Sequence, residues 1–216
     1  MKLLELFSGT GSVGAVWRDQ HEVTSLDIDN RFAPEVCQSI LEWDYKQHPT
    51  PDVIWSSPPC DQYSQARTTG GPRRLEESDR LVEKAWEIIC YFRDLNPRLI
   101  WFMENGMTSL LWKREVSREI QPRVTLDYCM YGSPGYRKRT TIATNARWTP
   151  RRLCAGDCGN VVDGRHRMTA QRAQGLNRRG QRIQGDKCSL DTLHALPKAL
   201  CFEILRVCVT NLEPNT

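Results

Sequence analysis

Ser57-Pro58-Pro59-Cys60 sets a cysteine directly behind two prolines. The prolines stiffen the turn, and the polar residues that follow (Gln62, Tyr63, Ser64, Gln65, Arg67) give Cys60 the surround a reactive thiolate needs. A thiolate so placed is a nucleophile for covalent catalysis. The other reading is a buried structural thiol. Glu104-Asn105 offers a carboxyl group, and Gly135-Tyr136-Arg137-Lys138-Arg139 offers spaced cations, which could equally be solvated charges. Phe7-Ser8-Gly9-Thr10-Gly11-Ser12 is a glycine turn. Such a turn lets a ligand approach the backbone closely, and a helix start behind it favours a carboxylate. By itself it is also an ordinary tight turn. Asp27 stands where nucleoside-binding α/β proteins hold ribose hydroxyls, or is a surface or capping acid. Asp44 is an acceptor for an adenine amino group, or a loop acid.

These residues need a frame. Apolar runs predict strands at Leu3–Phe7, Val23–Ile28, Val53–Ser57 and Leu99–Met103, with β-like runs at Val124–Tyr131 and Thr140–Thr144. Helices are expected at Val13–Asp19, from Pro34 to about Leu41, and from Ser78 through Leu81, Ala85, Ile88, Ile89 and Phe92. Strands alternating with helices imply an α/β domain with a largely parallel sheet. In such domains ligands lie beyond the carboxyl ends of the strands. The candidate residues follow Phe7, Ile28, Ser57 and Met103, each at such an end. The order divides as residues 1–148, an irregular segment over 149–188, and a closing helix in 189–216, interrupted by Pro197.

The chain has 216 residues and a net charge of +4, a size that suits one domain with a small appendage. Mean hydropathy is −0.55, and no apolar run approaches the roughly 18 residues of a membrane span. Met1–Phe7 is too short and too acidic, at Glu5, for a signal peptide, so an intracellular, non-secreted protein is expected. Nine cysteines in such a chain read as thiols, metal ligands or catalysts, not as a disulfide framework. From Arg147 to Arg182 there are nine arginines, no lysine and two acids, Asp157 and Asp163. That segment is either a polyanion-binding surface or a solvated loop.

The order Phe-x-Gly-x-Gly, strand-end acid, Pro-Cys, Glu-Asn and Arg-x-Arg, over residues 1 to about 144, resembles the cytosine-C5 DNA methyltransferase family. The small size is similar to short forms found in large DNA viruses and phages. The resemblance implies a Rossmann-like fold that binds S-adenosylmethionine through Phe7, Ser8, Gly9, Thr10, Gly11, Ser12, Asp27, Ile28, Asp44 and Pro59, with DNA as the partner. It implies that Cys60 attacks C6 of cytosine and that Glu104 holds and protonates the N3 side. Arg139 then contacts the O2 atom and positions the covalent adduct, and Arg137 supports Glu104 and the fold. The base must leave the duplex, and residues 61–77 would close over it with Gly70 and Gly71 as hinges.

The chain departs from the family pattern in several places. Gly135 replaces the usual glutamine, Gly106 the valine after Glu-Asn, and Ile28 the aromatic that stacks near adenine. The 149–188 segment is far shorter than the usual target-recognition domain, which implies a short or relaxed recognition sequence or a helping partner. His166 to Arg172 resembles, imperfectly, the arginine–threonine helix that follows that domain. Leu193-His194-Ala195-Leu196-Pro197 resembles the last motif, which returns to the cofactor. Cys154, Cys158, His166 and Cys188 are a candidate structural zinc set, or unlinked thiols. The same motifs also suit an RNA cytosine methyltransferase, an inactive nucleic-acid binder, or an enzyme that transfers a modified sulfonium substituent.

Overall fold

The computed structural model describes residues 1–67, 71–132, 136–162, 164–169, 174–176, 182–184, 186–187 and 189–213. For 169, 174–176, 182–184, 186–187 and 190 it describes the backbone alone. Seven strands make the main sheet: β1 (Lys2–Leu6), β2 (Glu22–Asp27), β3 (Val36–Cys37), β4 (Val53–Ser56), β5 (Ile100–Gly106), β6 (Arg123–Asp127) and β7 (Arg139–Thr144). Their order is β3-β2-β1-β4-β5-β7-β6. The first five run parallel, and β7 lies antiparallel to both β5 and β6. This is the Rossmann-like α/β fold that the sequence leads one to expect. The order reverses between β1 and β4, where such sheets open a ligand crevice.

Period-two alternation sorts the core into two layers. Leu3, Val53, Ile100 and Phe102 face one side, against Trp17 of α1 (Gly14–Trp17) and Leu200, Cys201 and Ile204 of a later helix. Leu4, Leu6, Ile54, Trp101 and Met103 face the other, against Val82, Ala85, Ile89 and Phe92 of α2 (Leu75–Leu95). Those α2 positions recur at helical spacing, so one stripe of the helix is buried. Asn96 ends α2 with its amide on Phe92 O, and its side chain donates to Pro51 O at 3.1 Å. The chain closes with α3 (Leu190–His194) and α4 (Lys198–Leu212), separated at Pro197 as expected. Among the described residues no helix is long and apolar enough to cross a membrane.

Three expectations need correction. The helix from Pro34 is absent. Instead a 3-10 turn at Asn30–Phe32 leads into β3, because Glu35 accepts the Ser25 amide at 2.9 Å and pairs with Arg18, holding the chain extended beside β2. The strand expected to reach Tyr131 ends at Asp127, and Tyr128–Tyr131 form a buried 3-10 turn. The described part of the segment likened to the arginine–threonine helix, residues 166–169, is not helical. His166 lies in the hairpin of β8 (Val161–Val162) and β9 (Arg165–His166). Met168–Thr169 pair with Asp186–Lys187 as strands, and Ala170, Gln171 and Arg172 lie outside the described residues. A further ribbon joins Gln174–Leu176 to Arg182–Gln184.

Candidate active site

At the carboxyl end of β1 the backbone turns sharply. Phe7 has φ 55°, Gly9 47° and Gly11 63°. A positive φ is unusual for a phenylalanine and marks a strained, over-determined site. Asp27, at the end of β2, pins the turn: its carboxylate accepts from the Gly9 amide at 2.7 Å and from the Asp29 amide at 2.9 Å. Beyond Gly9 and Gly11 there is open space within 4 Å of where a Cβ would sit. Gly9 borders a cleft of about 630 Å³, lined among others by Phe7, Ser8, Thr10, Ser12 and Asp27, within the usual range for small-molecule sites.

Cys60 lines the same cleft, with Ser57, Pro58, Pro59, Glu104 and Lys138. The turn that carries it is fixed from β5, since Asn105 Nδ2 donates to Pro58 O at 3.0 Å. Cys60 is exposed. The protein around its thiol still pushes its pKa up by burial, opposed first by the charge of Lys138 and reinforced by Glu104 and Asp61. Glu104 is buried at 7% exposure. Its Oε1 accepts from Tyr128 Oη at 3.2 Å and from Thr140 Oγ1, and lies 3.6 Å from Lys138 Nζ. Oε2 carries none of these bonds. Ser64 and Arg67 of the loop after Cys60 also line the cleft, as do His194 and Leu196, and the Leu196 amide donates to Ser12 Oγ at 3.2 Å. The Leu193–Pro197 segment therefore does return to this cleft.

The spaced arginines go elsewhere. Arg139 donates to Asp127 from Nε at 2.9 Å and from Nη2 at 2.7 Å. Arg137 Nε lies 3.8 Å from the same carboxylate. Arg137 was expected at Glu104, but the cation there is Lys138, while Arg137 and Arg139 on either side of it both lie at Asp127. Asp127, fully buried, is pushed up by burial, but Arg139, the Cys154 amide and Arg137 leave its carboxyl below the usual range. Among the other expected cofactor residues, Gly11 shapes the turn through its amide on Ser8 O at 2.8 Å. Ile28 is 74% exposed directly after Asp27. Asp44 is outside the cleft lining and precedes a 3-10 turn without capping it.

Two expectations about the loop after Cys60 change. Tyr63 is core rather than polar surround: it is fully buried, with its hydroxyl donating to Asp79 at 2.8 Å. The loop ends at Arg74, where α2 begins. Arg73 binds the carbonyls of Gln62 and of Ser64, the latter at 2.9 Å, so the part next to Cys60 is tied down. Gly70 lies outside the described residues, as does Gly135.

Glu5 escaped the sequence reading. It sits on β1 beneath the cleft and accepts from the amides of Val13 at 3.2 Å and Gly14 at 2.9 Å. The helix start expected to meet a ligand carboxylate is thus already met, at those two amides, by the protein's own. Burial pushes the Glu5 carboxyl up to about 7, against those amides and Arg18. Because the folded value exceeds the unfolded one, the native state holds a proton that the unfolded chain releases, and this group's stability contribution falls as pH climbs from about 4.5 to about 7. Glu5→Gln removes that slope. The variant should gain on the parent by roughly 2.5 kcal/mol between pH 5 and 8, whatever its offset at pH 5. Parallel denaturant titrations across that range check this, and a constant difference would refute it.

Comparison with known proteins follows the same lines. No family model matches the chain. Over 234 residues it is 32% identical to a "Probable DNA (cytosine-5)-methyltransferase" of Frog virus 3 (isolate Goorha), a match covering 96% of this chain and 100% of that one. Among solved structures it is similar to the Entamoeba histolytica methyltransferase EhMeth, with a TM-score of 0.45 and 17% identity over 71% of this chain and 56% of that one. The S. pombe Dnmt2 methyltransferase gives a TM-score of 0.45 and 11% identity over 71% of this chain and 52% of that one. The chain thus spans about half the length of these two solved chains. The viral relative is matched from end to end, and on that similarity the chain belongs to the DNA (cytosine-5)-methyltransferase family.

Proposed function

We propose that this protein transfers a methyl group from S-adenosylmethionine to C5 of cytosine in DNA, with Cys60 as nucleophile. The observation that carries this reading is one cleft lined both by the glycine turn with Asp27 and by Cys60, Glu104 and Lys138. The first set fits the donor: open space faces Gly9 and Gly11, and the exposed apolar Ile28 stands next to Asp27, suited to pack on an adenine ring. Bound there, S-adenosylmethionine supplies an electrophilic methyl group. The second set fits the base.

Cys60 Sγ, as thiolate, forms a bond to C6 of a cytosine swung out of the duplex. The displaced electron pair moves to C5, while Glu104 holds the N3 side. C5 takes the methyl group as its bond to sulfur breaks. Transfer of the C5 proton to solvent water then returns the electron pair to the ring, the C6–S bond breaks, and the thiolate is restored. Lys138 lowers the cost of the thiolate. Arg139, committed to Asp127, acts as a positioning residue that holds β7 so that Lys138 faces Glu104. Residues 149–188 serve as the target-recognition segment, their arginines contacting phosphates without reading sequence.

The test is methyl transfer from labelled S-adenosylmethionine, offered duplex DNA and RNA separately. Label in DNA, at C5 of cytosine after digestion, supports the proposal. Label only in RNA, or in neither, overturns it. The role of Lys138 has its own readout. Lys138→Met should slow alkylation of Cys60 several-fold at pH 8 and move its pH profile upward, read residue by residue by mass spectrometry with exposed Cys37 as internal control. An unchanged Cys60 profile would remove Lys138 from that role.

A further inference from the structure

Four side chains outside the cleft converge without any part in the reaction above. The ligand atoms of Cys129, Cys154, Cys158 and His166 all lie within 4.8 Å of one another. His166 Nε2 is 3.5 Å from Cys154 Sγ and 3.3 Å from Cys158 Sγ. Zinc holds sulfur at about 2.3 Å and nitrogen at about 2.0 Å in a tetrahedron, which puts those atoms roughly 3.5 Å apart. We propose that these four residues bind one Zn²⁺ as a structural clasp between the 149–169 segment and the β6–β7 hairpin.

Local backbone geometry supports a ligand role. Gly156, at φ 93°, turns the chain between the two cysteines so that its amide donates to Cys154 Sγ at 3.3 Å. An N–H aimed at sulfur stabilises a thiolate. Gly159 and Gly164, both at positive φ, carry the chain into and around the β8–β9 hairpin that delivers His166. Cys129 comes from the buried turn after β6. Three thiolates and an imidazole in this arrangement select zinc over harder cations. Their single net negative charge with Zn²⁺ sits beside Arg137 and Arg139, which share Asp127 with the Cys154 amide.

The segment also needs such a link. Among its described residues from 149 to 168, Cys154 alone is buried. A stretch without its own core is ordered by cross-links, and a metal is one of the strongest. Asp127 holds Arg139 and accepts the Cys154 amide at 2.9 Å, and Cys129 follows two residues later. Zinc would close that circuit and fix the segment to the strands that present Lys138. Cys188, the fourth member of the set expected from sequence, lies outside the described residues, and among the described residues the fourth ligand is Cys129.

The experiment uses the full chain, purified without chelator under reducing conditions. Elemental analysis should give about one zinc per chain. X-ray absorption at the zinc edge should give three sulfurs and one nitrogen, a readout that needs no variant. Cys129→Ser should lose the metal or a sulfur ligand, whereas Cys188→Ser should keep both. Chelation should speed tryptic cleavage after Arg151, Arg152, Arg165 or Arg167 by about tenfold or more, as local order is lost. Zinc near zero after reconstitution, a disulfide among the three cysteines, a different ligand count, or loss of zinc in Cys188→Ser with retention in Cys129→Ser would each overturn the proposal. None of these readouts depends on methyl transfer, so the failure of one reading leaves the other standing.

Discussion

Cys60→Ala is expected to lower methyl transfer to DNA by at least about a thousandfold, leaving affinity for S-adenosylmethionine within a few-fold of the parent. Removing the nucleophile removes the bond to C6 that makes C5 reactive, and no neighbouring group replaces it. The donor side of the cleft should be unaffected. Its turn is held by Asp27 and by the Ser8 and Leu26 backbones, and none of those bonds involves Cys60. Cys60 is exposed, so the truncation leaves no buried void, and the fold should keep its thermal midpoint. Single-turnover transfer and donor titration, run on the same preparation, separate the two effects. Transfer retained within tenfold would mean that the nucleophile is another residue, and donor binding lost in parallel would mean that the cleft had been assigned wrongly.

Arg139→Ala is expected to destabilise the fold by about 3–5 kcal/mol, a fall in midpoint on the order of 10 °C for a chain of this size. The cause is the partner left behind. Asp127 has a fully buried side chain, and Arg139 supplies two of its hydrogen bonds. Arg137, at 3.8 Å, is too distant to replace them. Replacing both partners in an Asp127→Asn, Arg139→Met pair should cost less than Arg139→Ala alone, because no buried charge is then stranded. Thermal and denaturant unfolding of the three proteins check this. A loss below about 1 kcal/mol would show that the pair behaves like an ordinary surface ion pair. In that case Arg139 would be free to reach substrate, as the family resemblance suggests.

Arg139 also shows where sequence stops being enough. Its type and spacing beside Cys60 and Glu104 marked a functional segment, and the segment does border the cleft. Which residue of the segment faces the cleft depends on the pleat, and the pleat depends on how β7 registers against β5 and β6. A shift of one residue exchanges the two faces. Glu104 pairs opposite Ile142 and Asp127 opposite Arg139, and that register sends Arg139 to Asp127 and Lys138 to Glu104. Glu5 was overlooked for a related reason. In sequence it is an acid near the chain start, and only the folded-back α1 amides and the covering core reveal its cost.

By itself the sequence determined what local chemistry determines. Apolar runs of strand length placed β1, β2 and β4 within a residue and the start of β5 within one, and put Cys60 and Asp27 beyond or at strand ends. β5 runs three residues further than its apolar run, to Gly106, so Glu104 lies within the strand. Burial on both faces leaves such runs little alternative. Cys60, the strongest element of that reading, needed only its two prolines and the strand before them. The tertiary structure decided whatever joins residues distant in the chain. It extended Glu35 toward Ser25 where a helix was expected, and turned Tyr63 into the core. It also brought Cys129 to Cys154, Cys158 and His166 across a gap that no local spacing rule spans. The physical reason is common to all of these: a side chain's direction is set by the partner across the sheet or loop, and a linear pattern does not contain that partner.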